Sequence, residues 1–172
     1  MKALIKVANS ARYNSYYNSK THIVEFVITS LIDKVTDFYV GLPLAHIVIR
    51  PIKAKRGFFF HGQSVGNRTI EIDCRQSDVW VIADTLAHEF CHMQQKVTGM
   101  LVPTYNSKSE VRWTDYMGNA STHSDRVKTY EEYLALPWEV DARNKAAEFV
   151  QRHTLYINDL ERRAPKRKNI YV

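Results

Sequence analysis

From Thr21 onward, Val24, Val27, Ile28, Leu31, Val35 and Phe38 recur at steps of three and four, the apolar stripe of a helix that Gly41 and Pro43 close. The period then shortens. LAHIVIRPI, residues 44–52, is rich in β-branched side chains and reads as a strand with Pro near its end. GFFFHG, residues 57–62, is a second strand candidate, and TIEIDC, residues 69–74, alternates like a third. The turn-rich QSVGNR between them predicts a hairpin. Helical spacing returns in VWVIADTLAHEFCHMQQKVTG, with an N-cap on offer in QSD at 76–78 and a stop at Gly99. Residues 100–129 are mixed: SEVRWTDY reads as a strand and GNASTHSD as loop. A last helix is predicted from Pro137 through WEVDARNKAAEFVQRHTLYINDLERR. Residues 9–20, NSARYNSYYNSK, are polar, tyrosine-rich and predicted to be irregular. The pattern is that of an α+β fold without repeats or a dividing linker.

Composition narrows the class. The chain has 172 residues, 45% hydrophobic and 24% charged, which suits one globular domain with a sizeable core. Two cysteines, Cys74 and Cys91, indicate no disulfide framework, and a reducing compartment is the simpler reading. No segment has the apolar length of a membrane span. MKALIKVANS is interrupted by Lys6 and lacks a secretory core and cleavage site, so a cytoplasmic location is expected. Net charge is +6, with much of the excess in ERRAPKRKN, residues 161–169. That tail reads as a solvated terminus or as a weak, salt-sensitive contact with nucleic acid.

The chemistry concentrates in TLAHEFCHMQQK, residues 85–96. His88 and His92 lie one turn apart on one helix face, where two imidazoles can grip one tetrahedral ion. Glu89 points to one side of the pair, placed to take a proton from a metal-activated water. A shuffled chain of this composition shows HExxH in roughly one case in a hundred, so context counts. Here the motif sits mid-helix after a strand, with Val81, Ile82, Leu86, Phe90 and Met93 on its other face. The alternative is a core helix with two satisfied histidines. A catalytic zinc needs a third protein ligand. Metzincin spacing is excluded, because Gln95 and Thr98 stand where that pattern has Gly and His. Glu139 is the main candidate: it lies in the first turn of the helix that Pro137 starts, where the helix dipole favours an ionised carboxylate, and small Ala142 follows one turn later. His123 is its rival, among Gly118, Asn119, Ser121, Thr122 and Ser124. Asp141, Glu131 and Glu132 are weaker candidates. Cys91 reads as a buried apolar side chain, though a structural site using Cys74, Cys91 and two histidines is conceivable. His61 reads as structural.

With Trp113, Tyr133 and Pro137-Trp138-Glu139-Val140-Asp141-Ala142 following the HExxH helix, the chain resembles gluzincin-type zinc metallopeptidases, most closely small phage-encoded ones with a PWExxA motif. The resemblance covers roughly residues 21–150. It implies a zincin-like domain over 21–160, between an irregular segment 1–20 and the basic tail 161–172. The implied architecture is an N-terminal helix, a small, mostly antiparallel sheet, the zinc helix and a later helix carrying the third ligand. It also implies Zn2+ on His88, His92 and Glu139, Glu89 as general base, and a polypeptide substrate lying extended along the sheet's edge. Tyr133 or Tyr130 would stabilise the oxyanion. One position departs from larger gluzincins: Arg143 replaces an Asp that orients a zinc histidine, leaving Asp84 or Asp141 for that task. Two other readings stay open: a DNA-associated zinc protease with a third histidine, and a non-catalytic binding protein that zinc merely holds together.

Overall fold

The computed structural model describes residues 3–8, 15–53, 60–104, 110–124 and 126–165. The fold is α+β, with five helices and two small sheets among these residues. Strand β1 (Leu4–Val7) leads to helix α1 (Ser15–Phe38), then β2 (His46–Arg50), β3 (Gly62–Val65), β4 (Thr69–Asp73) and helix α2 (Val79–Val97). Strands β5 (Leu101–Pro103), β6 (Glu110–Thr114) and β7 (Ala120–Ser124) precede helices α3 (Tyr130–Leu134), α4 (Pro137–Arg152) and α5 (Thr154–Arg163).

The first sheet has the order β1-β2-β4-β3, with β1, β2 and β4 parallel and β3 antiparallel at the edge. The second is the antiparallel meander β5-β6-β7, so most strand pairs are antiparallel. In the first sheet Ile47 pairs with Ile70 and Ile49 with Ile72, and all four are fully buried. Period-2 alternation puts them on one face, where they meet the α1 stripe Val24, Val27, Ile28, Leu31 and Val35 and the α2 residues Ile82, Leu86, Phe90 and Met93. The opposite face is polar: Arg50 pairs with Glu71 at 2.7 Å, and Gln63 also donates to Glu71. Helix α4 packs across α2 with Ala142, Ala146 and Phe149 fully buried, and the two small residues permit close approach. Among the described residues no helix is long and apolar enough to cross a membrane.

Several expectations need correction. Helix α1 begins at Ser15, inside the stretch expected to be irregular; that polar stretch carries no apolar stripe to mark its start. Residues 9–14 lie outside the described residues, as do 54–59, which include the first half of the GFFFHG strand candidate; of its described half, Phe60 and His61 are not in a strand and Gly62 begins β3. The hairpin exists but is shifted: Gln63, Ser64 and Val65, expected in the link, form β3, and Gly66 at φ 63° opens the turn. β1 was not expected, because four residues around a lysine give little pattern; pairing with β2 makes it a strand. GNASTHSD, expected as loop, contains β7, whose largely exposed residues lack apolar alternation and are held by cross-strand pairing. The last helix is two, broken at His153, whose Nδ1 turns back to the Phe149 carbonyl at 2.9 Å.

Candidate metal centre

Helix α2 carries the site because its ends and its inner face are fixed. Asp78 caps it, its carboxylate accepting from the Trp80 and Val81 amides at 2.8 and 3.1 Å. Thr98 ends it, and Gly99 at φ 74° turns the chain away. With Ile82, Leu86, Phe90 and Met93 locked in the core, the helix rotation is set, and His88, Glu89 and His92 face α4 and β3.

The two imidazoles stand edge to face at 83°, with Nε2 atoms 3.0 Å apart. Glu139, in the first turn of α4, reaches both: Oε2 is 3.3 Å from His88 Nε2 and Oε1 is 3.2 Å from His92 Nε2. Among the described residues, these form the group of His, Cys and carboxylate donors close enough to share one metal ion. A tetrahedral zinc with bonds of about 2.0–2.1 Å holds its ligand atoms roughly 3.3 Å apart, close to these three separations. The buried Glu139 Oε2 also has no hydrogen bond of proper geometry. Three donors therefore converge, with the buried Glu139 Oε2 left without a hydrogen-bond partner, an arrangement that suits a cation. Burial alone would push the Glu139 carboxyl up, but His88 and His92 hold it well below the usual carboxylate range. It is thus held in the ionised form, the form in which a carboxylate can ligate a metal.

His92 is oriented by a residue that the sequence reading passed over. Gln95 Oε1 lies 2.8 Å from His92 Nδ1. The Gln95 amide nitrogen donates to the Trp138 carbonyl at 3.0 Å and to Asp141 Oδ2 at 2.8 Å. Two acceptors on the nitrogen fix which end of the amide faces His92, so Nδ1 carries the proton and Nε2 keeps its lone pair for a metal. Asp141 was one of two residues expected to orient a zinc histidine. It reaches His92 through Gln95, and it also accepts from Tyr116 Oη at 3.2 Å. Asp84 is exposed and lines the His88 side of the cleft. Arg143 instead braces the start of α4: its Nε donates to the Glu139 carbonyl at 3.2 Å and its guanidinium to the Leu134 carbonyl.

Glu89 is buried against the edge strand. A Cβ on Gly62 would lie 2.8 Å from Glu89 Cγ and from Thr85 Cγ2, so only glycine lets β3 approach this closely. Burial pushes the Glu89 carboxyl up, with His92 and His88 opposing, and its Oε2 has no hydrogen-bond partner. Tyr133, on α3, faces the same group. Burial, then Glu139 and Glu89, push its phenol well up, so it stays an O–H donor. Phe60 meets its ring edge-on at 5.7 Å, and Tyr130 stacks on it at 6.2 Å. A cleft runs past these residues. A cavity of about 420 Å³ opens on the His92 side and one of about 190 Å³ on the His88 side; Phe60, Gly62, Glu89, Tyr133 and Glu139 line both.

The other candidates fall elsewhere. His123 lies on β7, its Nε2 2.8 Å from Ser121 Oγ and its ring edge-on to Trp138 at 5.8 Å, outside the metal group. Cys91 is buried with Sγ 3.6 Å from Asp141, and Cys74 is buried in the core; neither joins the group. Glu131 and Glu132 are exposed on α3, where Glu132 completes a capping box with Thr129. His61 contacts Gln76. In the tail, Arg162 and Arg163 pair with Asp159, and residues 166–172 lie outside the described residues. Compared with protein-family models, curated proteins and solved structures, the chain matches none.

Proposed function

We propose that this chain is a zinc metallopeptidase of gluzincin type acting on polypeptides in the cytoplasm. The observation that carries the reading is the convergence of His88, His92 and Glu139, with the buried Glu89 beside them in a cleft. Zinc held there would supply a Lewis acid and a polarised water. The chain's own residues do the rest. Glu89 Oε2, unpartnered and with its basicity raised by burial, takes a proton from the attacking water and passes it to the departing amine. The Tyr133 hydroxyl donates to the oxyanion that forms on the former carbonyl. Strand β3, antiparallel at the sheet's edge, offers main-chain hydrogen bonds to an extended peptide, and Gly62, Gln63 and Ser64 line the cleft.

Glu89→Gln tests the reading against a protein in which zinc only holds helices together. The amide fits the same space and cannot accept the proton. We expect zinc content and melting temperature near those of the parent, with peptide turnover reduced by about 10²–10⁴-fold. Turnover within a few-fold of the parent would remove Glu89 from this role.

A further inference from the structure

The cleft is unequal in charge on the two sides of the metal group. On the His92 side the cavity of about 420 Å³ contains Lys96, half-buried and one turn beyond His92 on α2. Its Nζ donates to the Ser64 carbonyl on edge strand β3 at 2.6 Å. That leaves two of the ammonium's three N–H donors beside the path of a strand-bound peptide. Among the described residues no carboxylate forms an ion pair with it. Burial pulls its pKa down, and Glu89 and Glu139 oppose this only from a distance. An ammonium that has lost water without gaining a counter-ion rewards any anion that enters.

On the His88 side the cation is Arg143, exposed and with N–H donors on the Glu139 and Leu134 carbonyls, and Asp84 on the same side adds an opposing negative charge, while the His61 ring contacts Gln76. Past Lys96 the cleft continues into a cavity of about 580 Å³ walled by Leu101, Val102, Pro103, Val111 and Trp138. A substrate chain following β3 therefore passes the ammonium before reaching apolar walls.

Resting on the peptidase reading, we infer that Lys96 selects substrates bearing a carboxylate on the His92 side of the cleaved bond, from an Asp or Glu side chain or from the chain's own C-terminus. The test incubates zinc-loaded protein with random-sequence peptides, supplied both as free acids and as C-terminal amides, and reads the new termini by mass spectrometry. A side-chain carboxylate would show as enrichment of Asp and Glu, at least about tenfold, at one fixed position. A terminal carboxylate would show as cleavage of free acids alone, at a fixed distance from their end. Lys96→Glu should reverse the first preference towards Lys and Arg or abolish the second, while Lys96→Arg keeps either. Loss of the Ser64 contact alone would slow cleavage without reversing its preference. A second readout needs no turnover: calorimetry of zinc-loaded Glu89→Gln with a cleaved peptide and its neutral counterpart, Glu against Gln or acid against amide. The charged form should bind at least about tenfold tighter, and adding Lys96→Glu should erase the difference. Cleavage without a carboxylate preference, a preference unchanged in Lys96→Glu, or equal affinities would overturn the role of Lys96 alone. No cleavage of any peptide would overturn the peptidase reading and this inference with it.

Discussion

The α2–α4 pair and the β5–β7 sheet border the same cleft and are built differently. In the helix pair, Ala83, Leu86, Ala87, Phe90, Ala142, Ala146 and Phe149 are all fully buried, and the charged groups Glu89 and Glu139 are 6% and 4% exposed. In the sheet Trp113 is a buried anchor, β7 is largely exposed, and Met117 in the β6–β7 turn is 86% exposed. A site that must hold three donors within a few tenths of an ångström belongs on the first kind of structure, where packing locks each rotamer. A wall of the second kind, with few buried contacts to break, can yield more easily to whatever enters the cleft.

The largest expected effect comes from removing the shared carboxylate. Glu139→Ala should lower zinc affinity by more than about a hundredfold, while His123→Ala on β7 leaves zinc content near normal; elemental analysis of both proteins after equilibration with zinc reads the difference. The opposite result would move the third ligand to the sheet and install the three-histidine alternative.

Next comes the close approach of β3. Gly62→Ala places a methyl group against Glu89 and Thr85, and should reduce turnover on the order of a hundredfold by displacing the base. Zinc content should be unchanged, because the ligands come from α2 and α4. A variant with parental turnover would mean that β3 can yield, and that the strand is softer than this account has it. Smaller is Gln95→Ala, which frees His92 Nδ1 and should weaken zinc binding by about 10–100-fold, measured by competition with a chelator. The smallest belongs to the sheet. Met117→Ser should change stability by less than about 0.5 kcal/mol, read from denaturant unfolding, and leave turnover alone.

The same contrast decides what the sequence reveals. Helix α2 was legible from its period, its Asp78 cap and its Gly99 stop, because each is a local signal. The convergence of His88, His92 and Glu139 was legible too: HExxH spacing follows from helix geometry, and Pro137 fixes where Glu139 falls. Strands β1 and β7 were not, since neither carries alternating apolar residues and each depends on a partner strand distant or weakly patterned in sequence. Gln95 was missed for a related reason. A polar residue three positions after His92 has no special signature until Asp141 and the Trp138 carbonyl, 46 and 43 residues away, orient its amide. Lys96 likewise read as one more helix-end lysine, and its place in the cleft depends on the bond to Ser64, 32 residues earlier.

The central claim is that α2 and α4 together build one zinc site. Diffraction from zinc-soaked crystals on the two sides of the zinc absorption edge tests it most directly. The account predicts one strong anomalous peak per chain, within bonding distance of His88 Nε2, His92 Nε2 and a carboxylate oxygen of Glu139, with a remaining position facing the cleft. A peak that includes His123 or a cysteine in place of Glu139, or no peak at this group in crystals whose fold is intact, would contradict it.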